Sequence, residues 1–125
     1  MEITINDQRK IFAVQNEFSE GYPYLKLEFF SKPHKQGGAS SKKLMKHISK
    51  TIAECRTVHK AGHIMIQPHM TVAELEQGFR DVYGLSIEVF SKAGDKWIEA
   101  TEADIRTLEQ QNDAGRKFSL LEEVL

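Results

Sequence analysis

The chain has 125 residues, of which 40% are hydrophobic and 28% charged, and its formal net charge at pH 7 is −1. This balance is that of an ordinary globular domain long enough to bury a core. No apolar run approaches the roughly 20 residues of a membrane span, and the first residues lack the pattern of a signal peptide. A single cysteine, Cys55, excludes an internal disulfide, so we expect a cytoplasmic protein with no membrane partner.

Charge is distributed unevenly along the chain. Residues 1–62 contain eleven basic and six acidic residues, whereas residues 63–125 contain six basic and twelve acidic residues. Residues 32–50 contribute six lysines and no acid. Opposite net charges in the two halves hint at a protein partner or at self-association, with uneven drift of surface charge as an equal alternative.

The predicted elements of the first half begin with a strand at Ile3–Ile5. A helix follows, with Asp7 as its expected cap, and its apolar stripe consists of Ile11, Val14, Phe18 and Tyr22. The next strand alternates, with Leu25, Leu27 and Phe29 on one face and Phe30 on the other. Residues 33–41 read as a loop, and residues 43–48 as a strand or a helical turn. A short helix is expected to begin at Thr51 and to end at Gly62.

The second half repeats this order. A strand at Ile64–Ile66 precedes the clearest helix, which has a Thr71–Glu74 capping box and a stop at Gly84. Its apolar stripe consists of Val72, Leu75, Phe79, Val82 and Tyr83. The next strand alternates through Leu85, Ile87 and Val89 and leads through a hairpin turn into a strand at Lys96–Ala100. A helical run starts at Thr107 and ends at Gly115, followed by a tail at 116–125.

Residues 1–62 and 63–115 resemble two diverged copies of one unit. An offset of 61 aligns Ile3 with Ile64, and after one deleted residue Glu28 falls on Glu88. A strand–helix–strand connection normally forms a parallel crossover. We therefore expect one α+β domain over residues 1–125, in which two β-α-β(-β-α) repeats form one mixed sheet with helices packed on one side.

Cys55, His59 and His63 are spaced four residues apart and are candidate ligands of a zinc ion. No C-x-x-C or H-E-x-x-H pattern accompanies them, so a buried cysteine with surface histidines is the favoured interpretation. Cys55 with His59 as its base would be a candidate nucleophile, but the third, orienting group is missing. The sequence therefore predicts no catalytic residue and no cofactor, and it leaves a metal binder or small enzyme as an alternative.

The lysines of residues 32–50 are candidates for binding an anion or a nucleic acid. The candidate residues are Lys35, Lys42, Lys43, Lys46 and Lys50. Such lysines give salt-dependent affinity for phosphate groups. Residues 33–50 contain no arginine and no aromatic residue for base stacking, so nucleic acid is the second choice of partner.

Four aromatic residues near strand ends are candidates for a protein interface. They are Tyr24, Phe30, Phe90 and Trp97. Aromatic anchors are frequent hot spots of interfaces, although Trp97 would alternatively pack under the last helix. The favoured hypothesis is a non-enzymatic interaction or adaptor domain that binds another protein or a second copy of itself.

Three segments of the chain resemble a group of small uncharacterised bacterial proteins. The segments are Met70–Glu76, Tyr83–Phe90 and Thr107–Asn112. The first half, through Thr51–Arg56, is similar to this group as well, so the resemblance covers most of the chain. It implies a compact single-domain bacterial cytoplasmic protein, and it carries no activity, ligand or catalytic residue.

Overall fold

The computed structural model describes residues 1–31, 43–44, 50–101, 103 and 105–124, with the backbone alone for 43–44 and 122–124. The strands are β1 (Glu2–Ile5), β2 (Leu25–Ser31), β3 (Lys43–Leu44), β4 (Gly62–Met65), β5 (Ser86–Ala93) and β6 (Lys96–Ala100). The helices are α1 (Ile11–Gly21), α2 (Val72–Tyr83) and α3 (Leu108–Val124), and a 3-10 turn covers Ile52–Cys55. None of these described helices is long and apolar enough to cross a membrane.

The described strands form two antiparallel sheets, and the predicted α+β class is confirmed. One sheet pairs β1 with β4, and the other has the order β3-β2-β5-β6. The prediction of one mixed sheet is wrong. A parallel crossover requires that β1 and β2, which flank α1, share a sheet. Each of them instead pairs with a strand from the other half of the chain, β1 with β4 and β2 with β5.

The register of these pairs matches residues that the sequence alignment equates. Ile3 lies opposite Ile64 in the first sheet, and Glu28 lies opposite Glu88 in the second. The two isolated bridges, Lys10 with Thr51 and Thr71 with Thr107, are counterparts in the two halves, because the offset of 61 aligns Lys10 with Thr71. This is the register that a twofold arrangement of two similar halves requires, and the duplication itself stays a hypothesis.

The core lies between the sheets and the helices, and the predicted stripes of α1 and α2 enter it. Phe79 of α2 meets Phe29 of β2 edge to face, with ring centroids 6.2 Å apart. The α2 ends are as predicted, because Thr71 and Glu74 form the capping box and Gly84 adopts the left-handed conformation with φ 63°. Val82 is the exception, since it is 43% exposed while Tyr83 points inward.

Three predicted helix boundaries are wrong. Helix α1 begins after Lys10 with no side-chain cap, and Asp7 binds other partners. The 3-10 turn ends at Cys55, and Gly62 begins β4 instead of ending a helix. Helix α3 continues through Gly115, where a Cβ atom would lie 3.0 Å from both Tyr24 Cβ and the Lys92 carbonyl oxygen. This glycine therefore allows close packing against β2 and β5 instead of stopping the helix.

Candidate interaction surface

The four-stranded sheet has an inner face toward the helices and an outer face on the opposite side. Alternation along β2 and β5 places large apolar side chains such as Leu27 and Val89 inside. We define the outer face by the side chains that alternate with them. Its members are Lys26, Glu28, Phe30, Ser86, Glu88, Phe90, Lys92, Trp97 and Glu99. These residues are half-buried or exposed, and none of the described helices covers them.

Two lysines contact the single tryptophan on the outer face. Lys26 Nζ lies 4.8 Å from the centroid of the Trp97 ring, and Lys92 Nζ lies 5.1 Å from it. Lys26 Nζ also lies 5.7 Å from the Phe90 ring. Both distances to tryptophan are within the range of cation–π attraction. We call Lys26, Phe90, Lys92 and Trp97 the aromatic–lysine cluster.

Acidic side chains lie beside this cluster. Glu28 and Glu88 are directly opposite each other on β2 and β5, a position in which like charges repel. Lys26 Nζ, 3.5 Å from Glu28 Oε1, offsets part of this repulsion, and Glu88 engages a further group of the chain. The outer face therefore combines aromatic surface with charges of both signs.

Three of the four aromatic residues predicted as an interface lie on the outer face. They are Phe30, Phe90 and Trp97. Tyr24 lies at the end of the sheet, where Asn112 Oδ1 accepts its N–H at 2.8 Å and its carbonyl accepts the Lys92 N–H at 2.9 Å. Sequence reasoning missed the contribution of Lys26 and Lys92, although both alternate in step with the predicted outward phenylalanines.

The predicted basic segment lies mostly outside the described residues. Nothing is described of Lys35, Lys42 and Lys46, and of Lys43 only the backbone, which pairs with Ser31. Lys50 is described, and its Nζ lies 3.1 Å from Glu54 Oε2 in an exposed ion pair.

The candidate metal ligands each have a different partner. Cys55 is buried, and its Sγ lies 3.6 Å from the Thr51 carbonyl oxygen. Burial raises the pKa of the Cys55 thiol to about 11, which opposes the thiolate that a nucleophile or a metal site needs. His59 lies beside Asp7, and His63 Nδ1 lies 3.1 Å from Thr4 Oγ1. Within the described residues, no group of three or more possible metal ligands converges.

An ionic cluster that the sequence did not reveal joins Asp7, Arg56 and His59. The Arg56 side chain is fully buried, and its Nε and Nη2 donate to Asp7 Oδ1 at 3.1 and 2.9 Å. Its Nη1 donates to the Tyr83 carbonyl at 2.8 Å, which supplies a cation to the C-terminal end of α2. His59 Nδ1 lies 2.7 Å from Asp7 Oδ2, and its side chain is 57% exposed.

This cluster orients a histidine but supplies no nucleophile among the described contacts. Partial burial raises the pKa of Asp7, but hydrogen bonds and charge from Arg56 and His59 together lower it below its usual value. Asp7 is therefore held as a carboxylate that accepts hydrogen bonds from Arg56. We assign the cluster a structural role, because it ties the loop after β1 to the end of α2.

Two pockets in the described part of the chain offer few chemical groups. One, of about 330 Å³, lies near Tyr22 and Glu109, where burial first and then the charge of Glu109 raise the pKa of the Tyr22 phenol. The other, of about 210 Å³, lies between α3 and the inner side of β5 and β6, where the buried Gln111 Nε2 has no hydrogen-bond partner. Neither pocket brings a nucleophile and a base together.

Comparison of the chain with protein-family models, with curated proteins and with solved structures finds no match.

Proposed function

We propose that this protein is a non-enzymatic protein-interaction domain and that the outer face of its four-stranded sheet is the docking surface. The observation that carries the proposal is the aromatic–lysine cluster on a face that the described helices leave uncovered. Tryptophan and other aromatic residues supply much of the binding energy of protein interfaces.

The contacts of Trp97 suit this role. Lys26 and Lys92 hold the indole ring from different strands, so the ring loses little conformational freedom when a partner covers it. Glu99 follows Trp97 by two residues on the same face of β6, and Glu28 and Glu88 lie on the far side of Lys26 and Phe90 from Trp97. These carboxylates provide polar contacts of opposite charge. A rigid aromatic centre with a charged surrounding is the usual anatomy of a protein–protein interface.

Single-stranded nucleic acid is the second candidate, because it binds faces on which aromatic rings and cations alternate. Two features weigh against it. The outer face carries three carboxylates, Glu28, Glu88 and Glu99, which repel phosphate groups. The Trp97 ring already contacts two ammonium groups, which compete with a base for its π-surface.

Site-specific photo-cross-linking in the cells that produce the protein tests the proposal. Phe90→benzoylphenylalanine places the probe on the outer face, and Phe12→benzoylphenylalanine places it on α1, where Phe12 is 41% exposed. We expect a protein adduct from position 90 that disappears when Lys92→Glu is added, and none from position 12. Equal adducts from both positions, or no adduct from position 90, would contradict the proposal.

Fluorescence anisotropy with labelled oligothymidine and oligouridine separates the second candidate from the first. Affinity that falls steeply with salt and is lost in Trp97→Ala would favour nucleic acid. Binding that is absent, or that Trp97→Ala leaves unchanged, would favour the protein partner.

A further inference from the structure

The outermost strand of the four-stranded sheet, β6, presents an edge that no described strand pairs. β6 contains neither proline nor a bulge, two features that protect edges against pairing. At its centre, Ile98 is 58% exposed on the inner face. Such an edge can accept a further strand through its main-chain groups.

The hairpin geometry shows which residues of β6 direct their main-chain groups outward. The turn Gly94–Asp95 is closed by the pair Ala93 and Lys96, and hydrogen-bonded and non-hydrogen-bonded pairs alternate from there. Lys92 N–H donates to Tyr24, on the side away from β6. Because the Lys92–Trp97 pair is thus not hydrogen-bonded, the N–H and C=O groups of Trp97 and Glu99 point to the free edge.

We infer that a second copy of this chain pairs with β6 along this edge, antiparallel and with the twofold axis at Ile98. In this arrangement Ile98 lies opposite Ile98 of the partner subunit, and Trp97 lies opposite Glu99 of the partner subunit. The two four-stranded sheets become one continuous eight-stranded sheet. This inference rests on the proposed function and names its partner as a second copy of the chain.

The register follows from sheet geometry. Directly opposite residues of antiparallel strands lie on the same face, so the axis must pass through a residue and not between two. An axis at Glu99 would oppose two carboxylates, which is destabilising. An axis at Trp97 would pair only three residues of each strand and would set Glu99 against Asp95. The axis at Ile98 pairs all five residues of β6.

Charge complementarity on the outer face supports the same register. Within one copy, Lys26, Phe90 and Glu99 form a row across β2, β5 and β6, and Lys92 lies beside Trp97. Glu99 has no ion-pair partner among the described residues. Pairing joins the Lys26–Phe90–Glu99 row of one copy to the Trp97–Lys92 row of the other. Each Glu99 then lies between Phe90 of its own copy and Trp97 of the partner subunit. A lysine lies beside each of these two rings.

The same pairing creates an apolar contact on the inner face of the sheet. Ile98 is exposed because nothing described extends the inner face beyond β6. In a non-hydrogen-bonded antiparallel pair, the Cα atoms are about 4.5 Å apart, so the two isoleucine side chains contact each other. This contact removes apolar surface from water on both copies.

Disulfide cross-linking tests the pairing. Ile98→Cys places two thiols at a spacing that a disulfide accepts, whereas Glu99→Cys places them about 9 Å apart, which is too far. Ile105→Cys is the control for chance collision, because Ile105 is 87% exposed and lies outside β6. We expect Ile98→Cys to form covalent dimers about tenfold faster than either of the other variants. Equal rates, or faster linkage of Glu99→Cys, would overturn the inference.

Light scattering on the unlabelled wild type and on Ile98→Lys gives a second measurement. We expect a dimer for the wild type and a folded monomer for Ile98→Lys, because the substitution opposes two cations at the axis while leaving the exposed position unstrained. A monomeric wild type would overturn the pairing. If the wild type were monomeric while Phe90→benzoylphenylalanine captured a different protein, the pairing would be overturned and the proposed function would stand.

Discussion

The buried guanidinium of Arg56 binds the carboxylate of Asp7, 49 residues earlier in the chain, through two nitrogens at 3.1 and 2.9 Å. The same side chain donates to the Tyr83 carbonyl at 2.8 Å. Arg56 therefore connects the loop before α1, the segment after the 3-10 turn and the end of α2.

Arg56→Met is expected to lower the free energy of unfolding by about 2–3 kcal/mol, because the hydrogen bonds of a charged donor to the buried Tyr83 carbonyl and to the partly buried Asp7 carboxylate are lost. Urea denaturation followed by circular dichroism measures the change. Lys50→Met is the matched control, since its ion pair with Glu54 is exposed and its loss changes stability by less than about 1 kcal/mol. Equal stabilities of Arg56→Met and the control would refute the structural role of the cluster.

The lowered pKa of Asp7 makes the free energy of unfolding depend on pH in the acid range. A carboxyl group whose pKa is lower in the folded state binds protons more readily when unfolded. Its contribution is present above its ordinary pKa, near 4, and is lost as the pH falls through the folded value. We expect Asp7→Asn to lose less stability than the wild type between about pH 6 and about pH 3.

The test is the difference in stability between Asp7→Asn and the wild type at each pH, because the wild-type curve alone contains the contributions of other carboxyl groups. Glu54, Glu74 and Asp113 also have lowered pKa values, through hydrogen bonds to the Thr51 backbone, the Thr71 backbone and the Arg116 side chain, respectively. Parallel acid curves for Asp7→Asn and the wild type would show that Arg56 and His59 do not hold the Asp7 carboxylate.

The Cys55 thiol is expected to be inert in the folded protein. Burial raises its pKa to about 11, so few thiolates exist at neutral pH and a reagent reaches them only after opening. Reaction with Ellman's reagent should be slow in buffer and complete in guanidinium chloride. In Ile105→Cys one thiol should react at once and the other only after unfolding. Immediate reaction of the wild-type thiol would contradict the burial of Cys55.

A glycine inside α2 and the glycine that caps its C-terminal end are expected to respond in opposite directions. Gly84→Ala forces a side chain into the left-handed conformation at φ 63° and brings a Cβ within 3.2 Å of Val58 Cβ, so it costs about 1–2 kcal/mol. Gly78→Ala lies inside α2 with only Ile64 Cδ1 at 3.4 Å, and it gains up to about 1 kcal/mol. Thermal unfolding of both variants gives the two signs. A stabilising Gly84→Ala would exclude the left-handed cap.

The contact between Lys26 and Trp97 is expected to contribute about 0.5–1 kcal/mol to stability. A double-mutant cycle with Lys26→Ala and Trp97→Leu isolates this coupling from the other effects of each change. Lys96→Ala with Trp97→Leu is the control cycle, because no ring contact is described for Lys96. Coupling of similar size in both cycles would show that Lys26 does not hold the indole ring.

Elements with local signals can be predicted from the sequence. The sequence predicts both ends of helix α2, because a capping box and a left-handed glycine act within one turn of helix. The sequence also predicts the β5–β6 hairpin, since a two-residue turn brings adjacent strands together. Alternation in β2 and β5 likewise separated inner from outer side chains, because successive residues of a strand point to opposite faces.

The pairing of the strands cannot be predicted from local signals, because it depends on contacts between segments that are distant in sequence. β1 pairs with β4 and not with β2. The structure therefore has two antiparallel sheets in place of the predicted parallel crossover. The long-range pairing of β2 with β5 set Lys26 beside Trp97, and the docking of the 3-10 turn set Arg56 against Asp7. Neither contact has a periodic or capping signal, because Asp7, Lys26 and Arg56 are ordinary charged residues in their local sequence and Trp97 is an ordinary aromatic residue of a strand.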